Sequence, residues 1–153
     1  IKAKLKETGA LLAGEMSGHV FFKERWYGFD DGLYTAARLL EVLARDPRPT
    51  GTVFASLPNT VNSPELHVHL GEGENFALAE KLLAAAHFPD GQVSTLDGLR
   101  VDFADGFGLA RASNTTPVLV LRFEADSEAG LERIQNQFRE LILRVRPGTV
   151  LPF

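Results

Sequence analysis

The 153 residues, 44% of them hydrophobic, are enough for one medium domain or for a small domain plus part of another, with a real apolar core. A formal net charge of −4 argues against a general binder of nucleic acid or anionic membrane, which needs clustered Lys and Arg. With no cysteine, the chain has no disulfide, thiolate nucleophile or thiolate metal site, which is compatible with a reducing cytosol.

The chain opens at Ile1 with "IKAKLKETGALLAGE", which reads as mid-protein sequence, so the expectation is a piece of something longer. No apolar run has the length of a membrane span and no signal peptide is visible. Three amphipathic helices are expected, each with a core-facing stripe. The first follows an Asp30-Asp31 start signal and carries Leu33, Ala36, Ala37, Leu40, Leu43 and Ala44. The second carries Phe76, Ala79, Leu82, Leu83 and Ala86 and stops before Pro89. The third has Ser127 as N-cap and Glu128 in its first turn, then Leu131, Ile134, Phe138, Leu141, Ile142 and Val145, with Pro147-Gly148 as the stop.

Between the first two helices, "RDPRPTGTVFASLPNTVNSPE" is rich in proline and small polar residues and marks a linker. Beyond it come strand-like segments: "ELHVHL", then "VSTLDGLRVDF" with an Asp97-Gly98 hairpin signal, "GFGLARA" and "PVLVLRFEA". The order strand, helix, three strands, helix gives an antiparallel sheet with helices on one face, hence an α+β fold. Residues 59–153 make a complete small domain. Residues 1–58 do not, because one helix and two short strands cannot bury their own apolar faces.

Two polar clusters carry candidate chemistry. "RASNTT" puts Arg111, Ser113, Asn114, Thr115 and Thr116 at a bend between two apolar strands. Asn and Ser are ordinary turn residues. The combination with a planar guanidinium also suits a tetrahedral anion such as a phosphate, and both readings stay open on chemistry alone. "GEMSGH" places Glu15 and Ser17 between Gly14 and Gly18, with His19 beside them. A carboxylate and a hydroxyl suit the hydroxyls of a sugar, and an imidazole can move a proton near neutrality. The plainer alternative is a glycine-rich loop with a structural histidine. His67 and His69 share one face of a strand but lack a third ligand, so no metal site is assigned. Adjacent Asp30 and Asp31 suit helix capping better than paired-carboxylate catalysis. A sheet-based RNA binder using Phe103, Phe107 and Phe123 lacks the basic stripe it would need.

"GEMSGHVFFKERWYGFDDG" (14–32) and "RASNTTPVLVLRFEAD" (111–126), separated by a proline-rich linker, closely resemble the C-terminal third of the α-D-phosphohexomutases, nearest the bacterial phosphomannomutase/phosphoglucomutase branch. Phosphoglucosamine mutases typically carry Gln in place of Met16 and Gly-Thr-Glu in place of Asn114-Thr115-Thr116.

The resemblance implies that residues 1–58 are the C-terminal part of the third, sugar-binding, α/β domain plus linker. Residues 59–153 would be the fourth, phosphate-binding domain, a four-stranded antiparallel sheet with two helices on one face, like the TATA-box-binding protein. It implies that Glu15 and Ser17 hold the sugar's 3- and 4-hydroxyls and that Arg111, Ser113, Asn114 and Thr115 grip the phosphate not being transferred. His19 matches a histidine near the reacting hydroxyl and is the candidate for proton transfer. The implied reaction interconverts hexose 1- and 6-phosphates of glucose or mannose through a phosphoserine and a 1,6-bisphosphate, feeding surface polysaccharide precursors in the cytoplasm. It uses Mg2+ and a glucose 1,6-bisphosphate activator, with no nucleic-acid or membrane partner. The phosphoserine loop and the Asp-rich magnesium motif do not occur in these residues. The chain alone is therefore expected to be inactive, with the N-terminal domains of the same enzyme, in the same or another chain, as its partner. The alternative from another class is a stand-alone phosphosugar-binding or regulatory module.

Overall fold

A computed structural model describes residues 1–15 and 17–153. The chain divides into two compact units, Ile1–Pro58 and Asn59–Phe153.

The first unit begins with helix α1 (Lys2–Thr8), followed by a hairpin of β1 (Leu12–Gly14) and β2 (Val20–Phe22) with Gly14 opposite Val20. Helix α2 (Gly32–Arg45) starts where Asp31 accepts a hydrogen bond from the Tyr34 backbone N–H, satisfying one orphan donor of the first turn. A short helix α3 (Thr50–Ala55) lies inside the expected linker. Pro49, with φ −55°, presets the backbone for its first turn, and proline there sacrifices no intrahelical bond.

The apolar stripe of α2 does not face a core within this unit. Leu33 is 87% exposed and Leu40 66% exposed, and no residue of α2 is buried. The face that packs is the opposite one. Tyr34 stacks on Trp26 at 4.2 Å, and Arg38 lies over the Phe22 ring at 4.6 Å. Arg38 Nη2 donates to Glu24 at 2.6 Å, while Arg25 grips Glu41 through both terminal nitrogens at 3.2 and 2.8 Å. These guanidinium bonds hold the Glu24 and Glu41 carboxyls below the usual carboxylate range. The expectation of a core-facing stripe is thus corrected: charge pairs and stacked rings anchor α2, Leu33 and Leu40 face outward, and Leu43 is only half-buried.

The second unit holds one antiparallel sheet. Strands β3 (Val61–Asn62) and β4 (Leu66–His69) come first, and after helix α4 (Glu74–Ala85) follow β5 (Gly91–Ser94), β6 (Leu99–Phe103), β7 (Gly106–Ala112) and β8 (Val118–Ala125), with α5 (Glu128–Val145) last. The spatial order is β3-β8-β7-β6-β5, and β4 also pairs with β8. The α+β class holds, but the sheet has six strands rather than four. The Asp97-Gly98 hairpin splits one expected strand into β5 and β6, and the proline-rich entry adds two residues as β3 on the edge.

Alternation along β8 sends Leu119, Leu121, Phe123 and Ala125 to one face, all at most 1% exposed. Both α4 and α5 cover that face. Leu78 and Leu82 come from α4, and Ile134, Phe138, Leu141 and Ile142 from α5, whose Ser127 cap accepts from the Gly130 N–H. Gly108 opposes Phe123 in the ladder and lets the Phe138 ring reach the sheet, since a Cβ there would lie 2.3 Å from that ring. Phe123 is fully buried, which removes it as an exposed base-stacking residue. The buried line of α4 runs Asn75, Leu78, Leu82, whereas Phe76 faces solvent. No helix among the described residues is long and apolar enough to cross a membrane.

Candidate functional site

Each unit presents one of the two polar clusters at the tip of a β-hairpin. In the first unit Glu15, Ser17, Gly18 and His19 lie between β1 and β2. Glu15 donates its backbone N–H to the His19 carbonyl at 2.8 Å, and Gly18 N–H returns to the Glu15 carbonyl at 3.0 Å. The closed loop leaves Glu15, Ser17 and His19 exposed. Ser17 Oγ donates to Glu15 Oε2 at 3.3 Å, so a hydroxyl and a carboxylate lie side by side as a unit that can both give and accept hydrogen bonds. Met16 lies outside the described residues.

His19 has a partner that the sequence did not suggest. Its Nδ1 lies 2.6 Å from Asp30 Oδ2, and Asp30 Oδ1 accepts the Val20 N–H at 3.3 Å. The two adjacent aspartates do point apart. Asp31 caps α2 and takes the Trp26 indole N–H at 3.2 Å, whereas Asp30 forms a bridge pair with Phe21 and turns to the histidine. The carboxylate only accepts, so Nδ1 carries the hydrogen and Nε2 of the neutral ring keeps its lone pair outward.

In the second unit the β7–β8 hairpin turns through residues 113–117. Arg111 pairs with Val120 in the ladder, placing its side chain on the sheet face away from the helices. That side chain is 42% exposed, and its nearest anion is Asp97 Oδ2, 3.5 Å from Nη1, a long contact that leaves most of the guanidinium donors free. Gly98, at φ +78°, packs so close to the β7 backbone that a Cβ would meet the Ala110 carbonyl at 2.5 Å. Asp97 is thereby seated beside Arg111.

Ser113 organises the turn. Its N–H donates to the Val118 carbonyl at 3.0 Å, and its Oγ accepts the N–H groups of Thr115 and Thr116 at 3.3 and 3.2 Å. Ser113 Oγ also lies 3.3 Å from Thr115 Oγ1 and 3.0 Å from Thr116 Oγ1. The turn chemistry and the anion chemistry therefore coexist. The long N–H···Oγ bonds shape the loop, and its hydroxyls, the Asn114 amide and the guanidinium stay at the surface. Asn75, which the sequence reading passed over, reaches the loop from within, its Nδ2 donating to the Ser113 carbonyl at 2.8 Å. A polar residue on the apolar i, i+3, i+7 line of α4 was the signal that could have found it.

His67 and His69 do share a face, and their rings meet edge-on at 6.3 Å with His67 Nε2 on Glu65 at 2.9 Å. Among the described residues, no group of three His, Cys, Asp or Glu side chains is placed to hold a metal ion.

Two family models together match most of the chain. Phosphoglucomutase/phosphomannomutase, alpha/beta/alpha domain III, matches residues 1–61, and the C-terminal domain of the same family matches residues 65–141. The chain belongs to the phosphoglucomutase/phosphomannomutase family. A phosphomannomutase/phosphoglucomutase of Pseudomonas aeruginosa is 57% identical over all 153 residues, which are 33% of that protein. A phosphoglucomutase of Neisseria gonorrhoeae is 59% identical over 93% of this chain and 31% of its own length. The crystal structure of a phosphoglucomutase/phosphomannomutase family protein from Burkholderia thailandensis superposes with a TM-score of 0.86 at 61% identity, covering 99% of this chain and 32% of that one. The chain thus spans about a third of the length of the curated family members it matches. Both hairpin clusters lie inside the matched ranges, and the fold carrying them is the family's own.

Proposed function

We propose that this chain is the substrate-gripping portion of a phosphohexomutase that interconverts hexose 1-phosphate and hexose 6-phosphate. The observation that carries the reading is the β7–β8 hairpin, where the half-exposed Arg111 guanidinium lies near the end of β7 and meets the Asp97 carboxylate only at 3.5 Å, and where the turn that follows gathers the hydroxyls of Ser113, Thr115 and Thr116 at the surface. That donor surplus suits a dianionic phosphate ester. Arg111, Ser113, Asn114 and Thr115 bind the ester that is not being transferred.

Glu15 and Ser17 read the sugar hydroxyls, since their 3.3 Å pair offers acceptor and donor together. In a mutase the sugar must be held in two orientations, and a carboxylate–hydroxyl pair accepts either of two adjacent hydroxyls. His19, its Nδ1 occupied by Asp30, takes the proton of the attacking sugar hydroxyl on Nε2 and returns it in the reverse step. The phosphoserine and the magnesium ligands belong to the part of the enzyme beyond these residues, and the bisphosphate activator acts in the full-length enzyme.

The outward leucines of α2 support a partner. An α/β/α layer needs a sheet against each helix, and Leu33 and Leu40 are the residues such a sheet would cover. The remaining domains of the same enzyme, working in the cytoplasm, supply it. Replacing the matching third of the Pseudomonas aeruginosa relative with this chain gives the test, read as glucose 6-phosphate formed from glucose 1-phosphate or its mannose counterpart. An active chimera that loses activity on Glu15→Ala or Arg111→Ala is the expected result. A folded, phosphorylated chimera with no turnover overturns the proposal.

A further inference from the structure

Asn75 is 2% exposed, one of two buried polar side chains among the described residues, and it sits on the core-facing line of α4 beside Leu78 and Leu82. Asparagine is a poor helix former, and a buried amide is costly unless its hydrogen bonds are met. Its bonds lead to one place. Nδ2 donates to the Ser113 carbonyl at 2.8 Å and to the Thr116 carbonyl at 3.4 Å, so a single amide draws in the backbone on both sides of Asn114 and Thr115. With two carbonyl acceptors facing it, the amide has one orientation, nitrogen toward the loop.

The consequence is electrostatic. A loop that receives a phosphate must present N–H and O–H groups and turn its carbonyl oxygens away, because an unpaired carbonyl dipole facing a dianion repels it. The Ser113 and Thr116 carbonyls are the two that Asn75 draws toward the core, and Thr116 additionally accepts the Val118 N–H at 2.8 Å. The Thr115 and Thr116 N–H groups are gathered on Ser113 Oγ instead. We infer that Asn75 is a positioning residue for the phosphate loop: its buried amide holds the Ser113 and Thr116 carbonyls inward, away from the ligand face of the 113–116 turn, before ligand arrives. This rests on the phosphate reading of that loop.

The test uses the 153-residue chain, labelled with nitrogen-15, and its Asn75→Leu and Asn75→Asp variants, titrated with glucose 1-phosphate and with glucose as the uncharged control. Leucine keeps the volume and removes the donor, while aspartate keeps the shape and sets a carboxylate against two carbonyls. The wild-type amides of residues 113–116 shift with glucose 1-phosphate and not with glucose. In Asn75→Leu the apparent affinity falls about five- to ten-fold, and the Thr115 and Thr116 amides exchange faster while those of β8 keep their protection. Asn75→Asp loses more affinity than Asn75→Leu. If the wild-type loop ignores glucose 1-phosphate, the phosphate reading fails and this inference with it. If the wild type responds and folded Asn75→Leu binds equally well, the inference alone is overturned. A variant whose β8 amides lose protection along with the loop shows a general packing role and overturns it too.

Discussion

His19 Nδ1 stands 2.6 Å from Asp30 Oδ2, and the other oxygen of the same carboxylate takes the Val20 N–H at 3.3 Å. A carboxylate held at both oxygens does not rotate, so the imbalance between the two imidazole nitrogens is built into the backbone pairing of β2. Under the proposed function this has a kinetic signature. Asp30→Asn keeps the shape but lets an amide donate to Nδ1, which moves the ring hydrogen to Nε2 and blocks proton acceptance there. In the chimera, kcat falls about 10- to 100-fold with KM changed little. The nitrogen-15 shifts of His19 report the tautomer directly, and an unchanged tautomer with unchanged kcat would refute the assignment.

Arg111→Ala removes the formal charge from the second cluster. The expected loss is about 2–3 kcal/mol of transition-state stabilisation, roughly 30- to 150-fold in kcat/KM of the chimera. Arg111→Lys recovers part of it, because an ammonium restores charge but not the planar fork. Steady-state kinetics against glucose 1-phosphate check this, and unaltered kinetics would reduce the cluster to a turn.

Glu74 gives a pH dependence of known sign. Its carboxylate accepts the Gly71 N–H at 2.9 Å and the Arg146 guanidinium at 2.9 Å, and these bonds, the backbone one foremost, hold its pKa below the ordinary glutamate value. The folded state therefore prefers the ionised form. The stabilisation is fully present above the unfolded glutamate pKa and disappears as pH falls through the lowered folded value. Thermal melts of wild type and Glu74→Gln should differ near neutrality and converge in acid. A gap that widens on acidification would contradict the assignment.

Much of the second unit was legible because its elements are locally consistent. Ser127 caps α5, the α5 apolar line is the buried line, and Asp97-Gly98 turns the β5–β6 hairpin. The misreadings have separate physical causes. In α4 two adjacent stripes compete, and Phe76 looked more core-like than Asn75 until the loop carbonyls supplied the amide with partners. Asp30 was invisible because its partner lies eleven residues away across a hairpin. For α2 the periodicity was right and the inference from it was wrong, since a stripe records what a helix is built to cover. Nothing in a period of 3.6 says where the covering surface comes from.

Gly108 tests the packing of the second unit without touching either cluster. It faces α5 from β7, and an added methyl would lie 2.3 Å from the Phe138 ring, itself fully buried between Phe88 and Phe123. Phe88 and Phe123 flank the ring, so the added methyl is accommodated by lifting the helix or straining the rotamer. Gly108→Ala should cost about 1–3 kcal/mol of stability, read from denaturant midpoints at unchanged slope.

The exposed leucines of α2 separate a helix built for a partner from one that is merely amphipathic. In the 153-residue chain Leu33→Glu and Leu40→Glu touch nothing buried, so each should change stability by no more than about 0.5 kcal/mol. Under the proposed function the same positions in the chimera come under the sheet of the rest of the third domain, where each leucine would contribute about 1.5–3 kcal/mol and a carboxylate without a partner would cost more again. The prediction is therefore a contrast: neutral in the short chain, and a loss of about 3 kcal/mol or more per site in the chimera, measured by chemical denaturation of both. Equal and small effects in the two contexts would mean that nothing covers this face, and α2 would be anchored only by the Arg25, Arg38, Glu24 and Glu41 pairs and by the ring contacts of Tyr34 and Arg38. The ion-pair part of that anchor weakens with salt, which circular dichroism across a salt series would register independently.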